Sequence, residues 1–145
     1  MEPAYIIILF VFIFSLVKYL KFKKRKNEDE IIKSHNRNRR VVYQKSKPAN
    51  GKRRSKEEIE KDNARYAEHL AKHSRRHSEA ERIKQTRLGI KRYIWRSSED
   101  GDVCAECAKN NGKTFSWSKP PKSGHPGEGN CCPDGHCRCY PEEKL

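Results

Sequence analysis

The chain holds no cysteine ahead of Cys104 and no lysine or arginine ahead of Lys18. Glu2 stands where a secretory signal would carry its basic n-region, and no small-x-small cleavage site follows the first apolar run, which argues against a cleaved signal peptide. Nucleophile-elbow, phosphate-loop and zincin patterns are all missing, so the common hydrolase and nucleotide-binding mechanisms have no sequence support. Between Lys26 and Tyr66 the only aromatic among Phe, Tyr and Trp is Tyr43, which leaves little for stacking on nucleic-acid bases. Large apolar residues are also scarce after the N-terminal run, so the rest of the chain cannot enclose a helix that is hydrophobic all round.

What is present begins with Ala4 to Val17, AYIIILFVFIFSLV, whose only polar side-chain groups are the hydroxyls of Tyr5 and Ser15. If Lys18 snorkels, the run extends to Leu20 and reaches 17 residues, the short end of what spans a bilayer. Residues 1–20 therefore read as a transmembrane anchor. Lys18, Lys21, Lys23, Lys24, Arg25 and Lys26 follow it. The positive-inside bias then makes a single-pass protein of the inner (cytoplasmic) membrane, with everything after Leu20 in the cytoplasm. Cytosolic thiols stay reduced, so the cysteines read as metal ligands and not as disulfides.

The formal net charge of +14 is unevenly spread. Residues 18–54 hold 15 Lys/Arg against 3 Asp/Glu, whereas residues 90–145 hold 9 against 8. The basic segment reads as a juxtamembrane stretch drawn to the membrane and its anionic lipid headgroups. A nucleic-acid partner is the less favoured reading of the same charge. Residues 21–54 read as a disordered basic linker with a Pro48-Ala49-Asn50-Gly51 turn. Ser55-Lys56-Glu57-Glu58 is a capping box that opens a stalk helix over 55–88. Ile59, Tyr66, Leu70 and Ile83 are its few large apolar residues, a stripe too narrow for a deep core. His69, His73 and His77 recur every four residues there; with Arg75 and Arg76 beside them they read as a solvated polar face in preference to a metal site.

Residues 89–145 carry all six cysteines: Cys104-x2-Cys107, then Cys131-Cys132-x4-Cys137-x-Cys139. Tyr93–Arg96 and Lys113–Trp117 read as strands, Ala105–Asn111 as a short helix, and Pro120–Asn130 as an irregular loop. So small a module with so few large apolar side chains needs a metal or disulfides to stay folded. Two knots of soft ligands suit tetrahedral Zn²⁺. The expected ligands are Cys104, Cys107, Cys137 and Cys139. His125 is the first substitute and Cys131 and Cys132 come next. A site closed by four cysteines keeps no position for water, so it implies structure and not hydrolysis.

The same residues carry a resemblance. L-G-I at 88–90, Y-I-W-R at 93–96, Asp100, V-C-A-E-C at 103–107, N-G-K-T-F at 111–115, the prolines at 120–121, G-H-P-G-E at 124–128, C-R-C at 137–139 and Pro141 occur together in order. In this, residues 86–142 resemble the C-terminal part of the phage head-morphogenesis proteins, the Mu F-like minor head protein family. The resemblance implies phage head or portal proteins as partners. The expected fold class is thus α+β, with a transmembrane helix, a helical basic stalk and a small zinc-stabilised C-terminal module. The expected function is that of a membrane-anchored, phage- or prophage-derived, non-enzymatic interaction module. A basic nucleic-acid-associated protein is the alternative. A thiol oxidoreductase using the C-x-x-C pair is weaker still, because no βαβ unit surrounds that pair.

Overall fold

The computed structural model describes residues 3–38, 43–45, 47 and 53–144, with side chains from Ile7 onward. The chain is α+β: two long helices, α1 (Pro3–Arg37) and α2 (Lys56–Arg87), precede β1 (Arg92–Arg96), the short α3 (Ala105–Asn110), β2 (Thr114–Ser116) and β3 (Tyr140–Lys144).

The transmembrane anchor over 1–20, and with it the single-pass inner-membrane placement, is corrected. Among the described residues no helix is long and apolar enough to cross a membrane. The apolar run Ala4–Val17 is 14 residues long when Lys18 interrupts it, and Lys21, Lys23 and Lys24 follow within two further turns. A span needs about 20. Without the anchor no compartment is assigned to the cysteines, and only their geometry bears on metal binding.

The linker expectation over 21–54 also changes, because α1 continues to Arg37. Once a helix is nucleated, each further residue costs little to add. Residues 21–37 are rich in Lys, Arg, Glu and Ile, which take helical geometry readily. Lys24 lies 3.9 Å from Glu28 and Lys33 lies 3.6 Å from Glu30 along the same helix. The Pro48-Ala49-Asn50-Gly51 turn lies outside the described residues.

Helix α2 begins at the capping box. Ser55 accepts from the Glu58 backbone N–H and the Glu58 carboxylate accepts from the Ser55 N–H, satisfying two donors that a helix start leaves open. The helix is more than a stalk. Ala71, Ser74, Ser78, Ala80, Ile83 and Gln85 are buried along it, a stripe of small and polar residues. These let the loop backbone of the C-terminal module approach closely. Ser74 Oγ donates to the Gly127 carbonyl at 2.8 Å and also bonds the Cys137 carbonyl. Arg75 Nε donates to the Glu128 carbonyl at 3.2 Å. Further along, Gln85 Oε1 accepts from the Trp117 indole at 3.1 Å. Gln85 is only 2% exposed, so truncation strands a buried donor. We expect Gln85→Ala to cost about 1–3 kcal/mol, read as an earlier urea midpoint in tryptophan fluorescence.

Helices α1 and α2 run antiparallel. Arg87 contacts Glu28 and Asp29, His77 meets His35, and His73 reaches the Asn38 carbonyl. The sheet has the order β2-β1-β3, antiparallel throughout. β1 is central, and its inward residues Tyr93 and Trp95 are fully buried. β3, YPEEK, has no apolar alternation to announce it. Its Pro141 pairs with Trp95 on an edge strand, where a missing N–H is tolerated.

Candidate metal centre

The core of the small module and its cysteine cluster are one structure. Tyr93, Trp95, Trp117, Cys107, Cys137 and Cys139 form a single buried cluster, with Val103, Cys104, Phe115, Cys131 and Cys132 packed against it. Three aromatic rings on a three-stranded sheet cannot close around one another. The sulfurs fill the remaining side.

Each half of the cluster is set by local backbone. On the first half, Cys104 is the N-cap of α3, and its Sγ accepts from the Cys107 N–H at 3.4 Å. This turn aims both sulfurs of the C-x-x-C the same way. Cys107 is 1% exposed. On the second half, Cys131 and Cys132 sit in a tight loop pinched at its neck. The Cys132 N–H donates to the Gly129 carbonyl at 3.1 Å and the Gly135 N–H to the Cys132 carbonyl at 2.9 Å. Gly129 has φ +77°, and a Cβ there would overlap the Gly135 carbonyl. Only glycine lets the two limbs of that neck touch.

The sulfurs converge. Cys104 Sγ lies 3.6 Å from Cys131 Sγ and 3.9 Å from Cys132 Sγ. Cys107 Sγ lies 3.5 Å from Cys131 Sγ and 3.9 Å from Cys132 Sγ. With metal–sulfur bonds of about 2.3 Å, neighbouring sulfurs of a zinc tetrahedron stand about 3.8 Å apart. Four of the six separations thus match the edges of such a tetrahedron, and all four sulfurs lie within 4.8 Å of one another. None of the six cysteines is in a disulfide. A second group, Cys107, Cys137 and Cys139, shares Cys107 with the first, Cys137 Sγ standing 3.7 Å from Cys107 Sγ. The cysteine cluster can hold a metal ion.

The electrostatics suit a cation. Hydrogen bonding from Cys139 brings the Cys137 thiol down to about 5, against its burial. At Cys104, burial pushes the thiol up, and hydrogen bonds from Cys107, Cys131 and Cys132 outweigh it, leaving it below the usual thiol range. Burial pushes Cys107, Cys131 and Cys132 up. Without a cation, then, most of these sulfurs stay protonated. A dication at the centre reverses that by offsetting the charge of each thiolate.

Of the expected ligands, Cys137 and Cys139 group with Cys107, whereas Cys131 and Cys132 are the sulfurs that group with both Cys104 and Cys107. His125 is not a member of either sulfur group. It is buried between Tyr93 and Trp117, with ring centroids 5.6 Å and 4.9 Å away. The Tyr93 hydroxyl and His125 Nδ1 are 3.0 Å apart, and the His125 backbone N–H donates to the Glu128 carboxylate at 2.9 Å. Burial lowers the imidazole's affinity for a proton and raises that of the phenol, so a neutral ring and an un-ionised hydroxyl share one hydrogen bond. We expect His125→Gln to keep its bound metal while costing about 1–3 kcal/mol of stability from the broken buried bond. Zinc content after desalting, together with a urea titration, checks both halves.

The chain matches no family model, no curated protein and no solved structure.

Proposed function

We propose that residues 89–145, held against α2, form a zinc-dependent, non-enzymatic interaction module of the phage head-morphogenesis type. The observation that carries this reading is the sulfur tetrahedron of Cys104, Cys107, Cys131 and Cys132. Four protein thiolates complete the coordination of Zn²⁺ and leave no position for a water or a substrate, so the metal holds structure and does no chemistry. The ordered set of motifs from Leu88 to Pro141 supports the family reading. By that resemblance the partners are phage head or portal proteins.

The competing reading is thiol oxidoreduction by Cys104 and Cys107. It has one observation in its favour: Cys104 caps α3, is partly exposed, and is held below the usual thiol range. Against it, Cys131 and Cys132 crowd the same sulfurs, and the pair lies between antiparallel strands with no βαβ unit.

One experiment separates the two. The full chain, purified under reducing conditions, is assayed for zinc, for titratable thiols before and after chelation, and for capture of phage portal and head proteins. The interaction reading expects bound zinc, thiols masked until chelation, and capture only by the zinc-loaded chain. A folded, metal-free protein that cycles a Cys104–Cys107 disulfide overturns it.

A further inference from the structure

We infer that His35, His77 and Glu81 form a second divalent-metal site, free of thiolate, that clips α1 to α2. It is independent of the cysteine cluster and of the function proposed for it.

The three residues come from two helices. His77 and Glu81 are four apart on α2 and so lie one above the other on the same face. His35 comes from the last turns of α1, 42 residues away in sequence. Each offers one ligand atom, and these atoms all lie within 4.8 Å of one another. His77 Nδ1 and His35 Nε2 are 3.3 Å apart. With metal–nitrogen bonds of about 2.0–2.1 Å, two imidazole nitrogens of a tetrahedral site stand about 3.3–3.4 Å apart. The two rings therefore already hold the spacing that a bound ion would impose, with Glu81 to close on the third corner.

The surroundings favour an ion here. His35 is 9% exposed, and its ring packs on that of His77 at 4.9 Å between centroids. One Glu81 oxygen accepts from Lys84 at 2.7 Å, leaving the other for a metal. His73 is not a ligand, because its Nε2 lies 3.1 Å from the Asn38 carbonyl. A cleft of about 710 Å³ opens on the group and is lined also by His73, His136 and Lys84, giving a hydrated ion a path in and a fourth, water ligand room. Two imidazoles and one carboxylate select Zn²⁺, Co²⁺ or Ni²⁺ over Mg²⁺ or Ca²⁺.

The test uses the full chain under reducing conditions, titrated with Zn²⁺ alone and, for spectra, with Co²⁺ alone. The wild type is expected to bind two zinc ions. His35→Ala and His77→Ala are expected to bind one, with the sulfur-to-cobalt charge-transfer band unchanged and far-UV circular dichroism retained. Glu81→Gln, which keeps both rings, should weaken the second site roughly tenfold or more. A wild type whose Co²⁺ spectrum shows sulfur ligation alone, or histidine variants that bind as many ions as the wild type, overturns the site. Failure of the cysteine reading looks different: the sulfur band is missing while the nitrogen-ligated Co²⁺ spectrum remains.

Discussion

Stripping the metal from the full chain under reducing conditions should unfold residues 89–145 and leave most of α2 helical. The sheet has only three strands, and half of its buried cluster is cysteine. Without a dication, six thiols within one cluster leave Tyr93, Trp95 and Trp117 closed on one side only. Structural zinc supplies on the order of 10 kcal/mol to peptides of this kind, more than so small a core can replace. Cys107→Ser should have the same effect as chelation, because Cys107 is the sulfur common to both groups. Cys131→Ser and Cys132→Ser should also lose the metal. Cys139→Ser should retain it, since Cys139 is not one of the four tetrahedral corners. Zinc content and the tryptophan emission maximum read these outcomes directly. Metal loss in Cys139→Ser with retention in Cys131→Ser would return the ligand set to Cys104, Cys107, Cys137 and Cys139, the C-x2-C and C-x-C knots expected from spacing alone.

Gly129→Ala should be nearly as damaging, although it removes no ligand. The residue has φ +77°, a conformation in which alanine is strained, and its Cβ would strike backbone at Gly135 and not a side chain that can swing away. The neck of the loop then opens, and Cys131 and Cys132 lose their approach to Cys104 and Cys107. We expect zinc affinity to fall at least tenfold, by the logic that a misoriented ligand costs about as much as a lost supporting contact. Competition with a chromophoric chelator measures it. Gly101→Ala is the control: an added Cβ there meets nothing, so affinity should hold.

Local chemistry was legible in the chain itself. Ser55 and Glu58 announce the start of α2 because a capping box is satisfied within four residues. Tyr93–Arg96 announces the central strand because aromatic and β-branched residues alternate there. Composition pointed to a metal or disulfides, since a module with so few large apolar residues does not close a core alone, and the structure gathers the thiols so that they can hold an ion. What could not be read were the pairings across distance. β3 carries glutamates and a proline, and is a strand only because β1 offers it an edge. The buried face of α2 is built from Ala71, Ser74, Ser78 and Gln85, which look solvated until a loop backbone is seen resting on them. Spacing favoured Cys137 and Cys139 as partners of the first knuckle. A pinched glycine loop also brings Cys131 and Cys132 close to Cys104 and Cys107, an approach that sequence distance leaves open. His77 recurs with His69 and His73 along one helix, but its partner is His35, brought by a second helix from 42 residues away. Backbone propensity and composition act within a few residues and so are written in order along the chain. Ligand sets are made where separate segments meet, and only the tertiary structure decides which do.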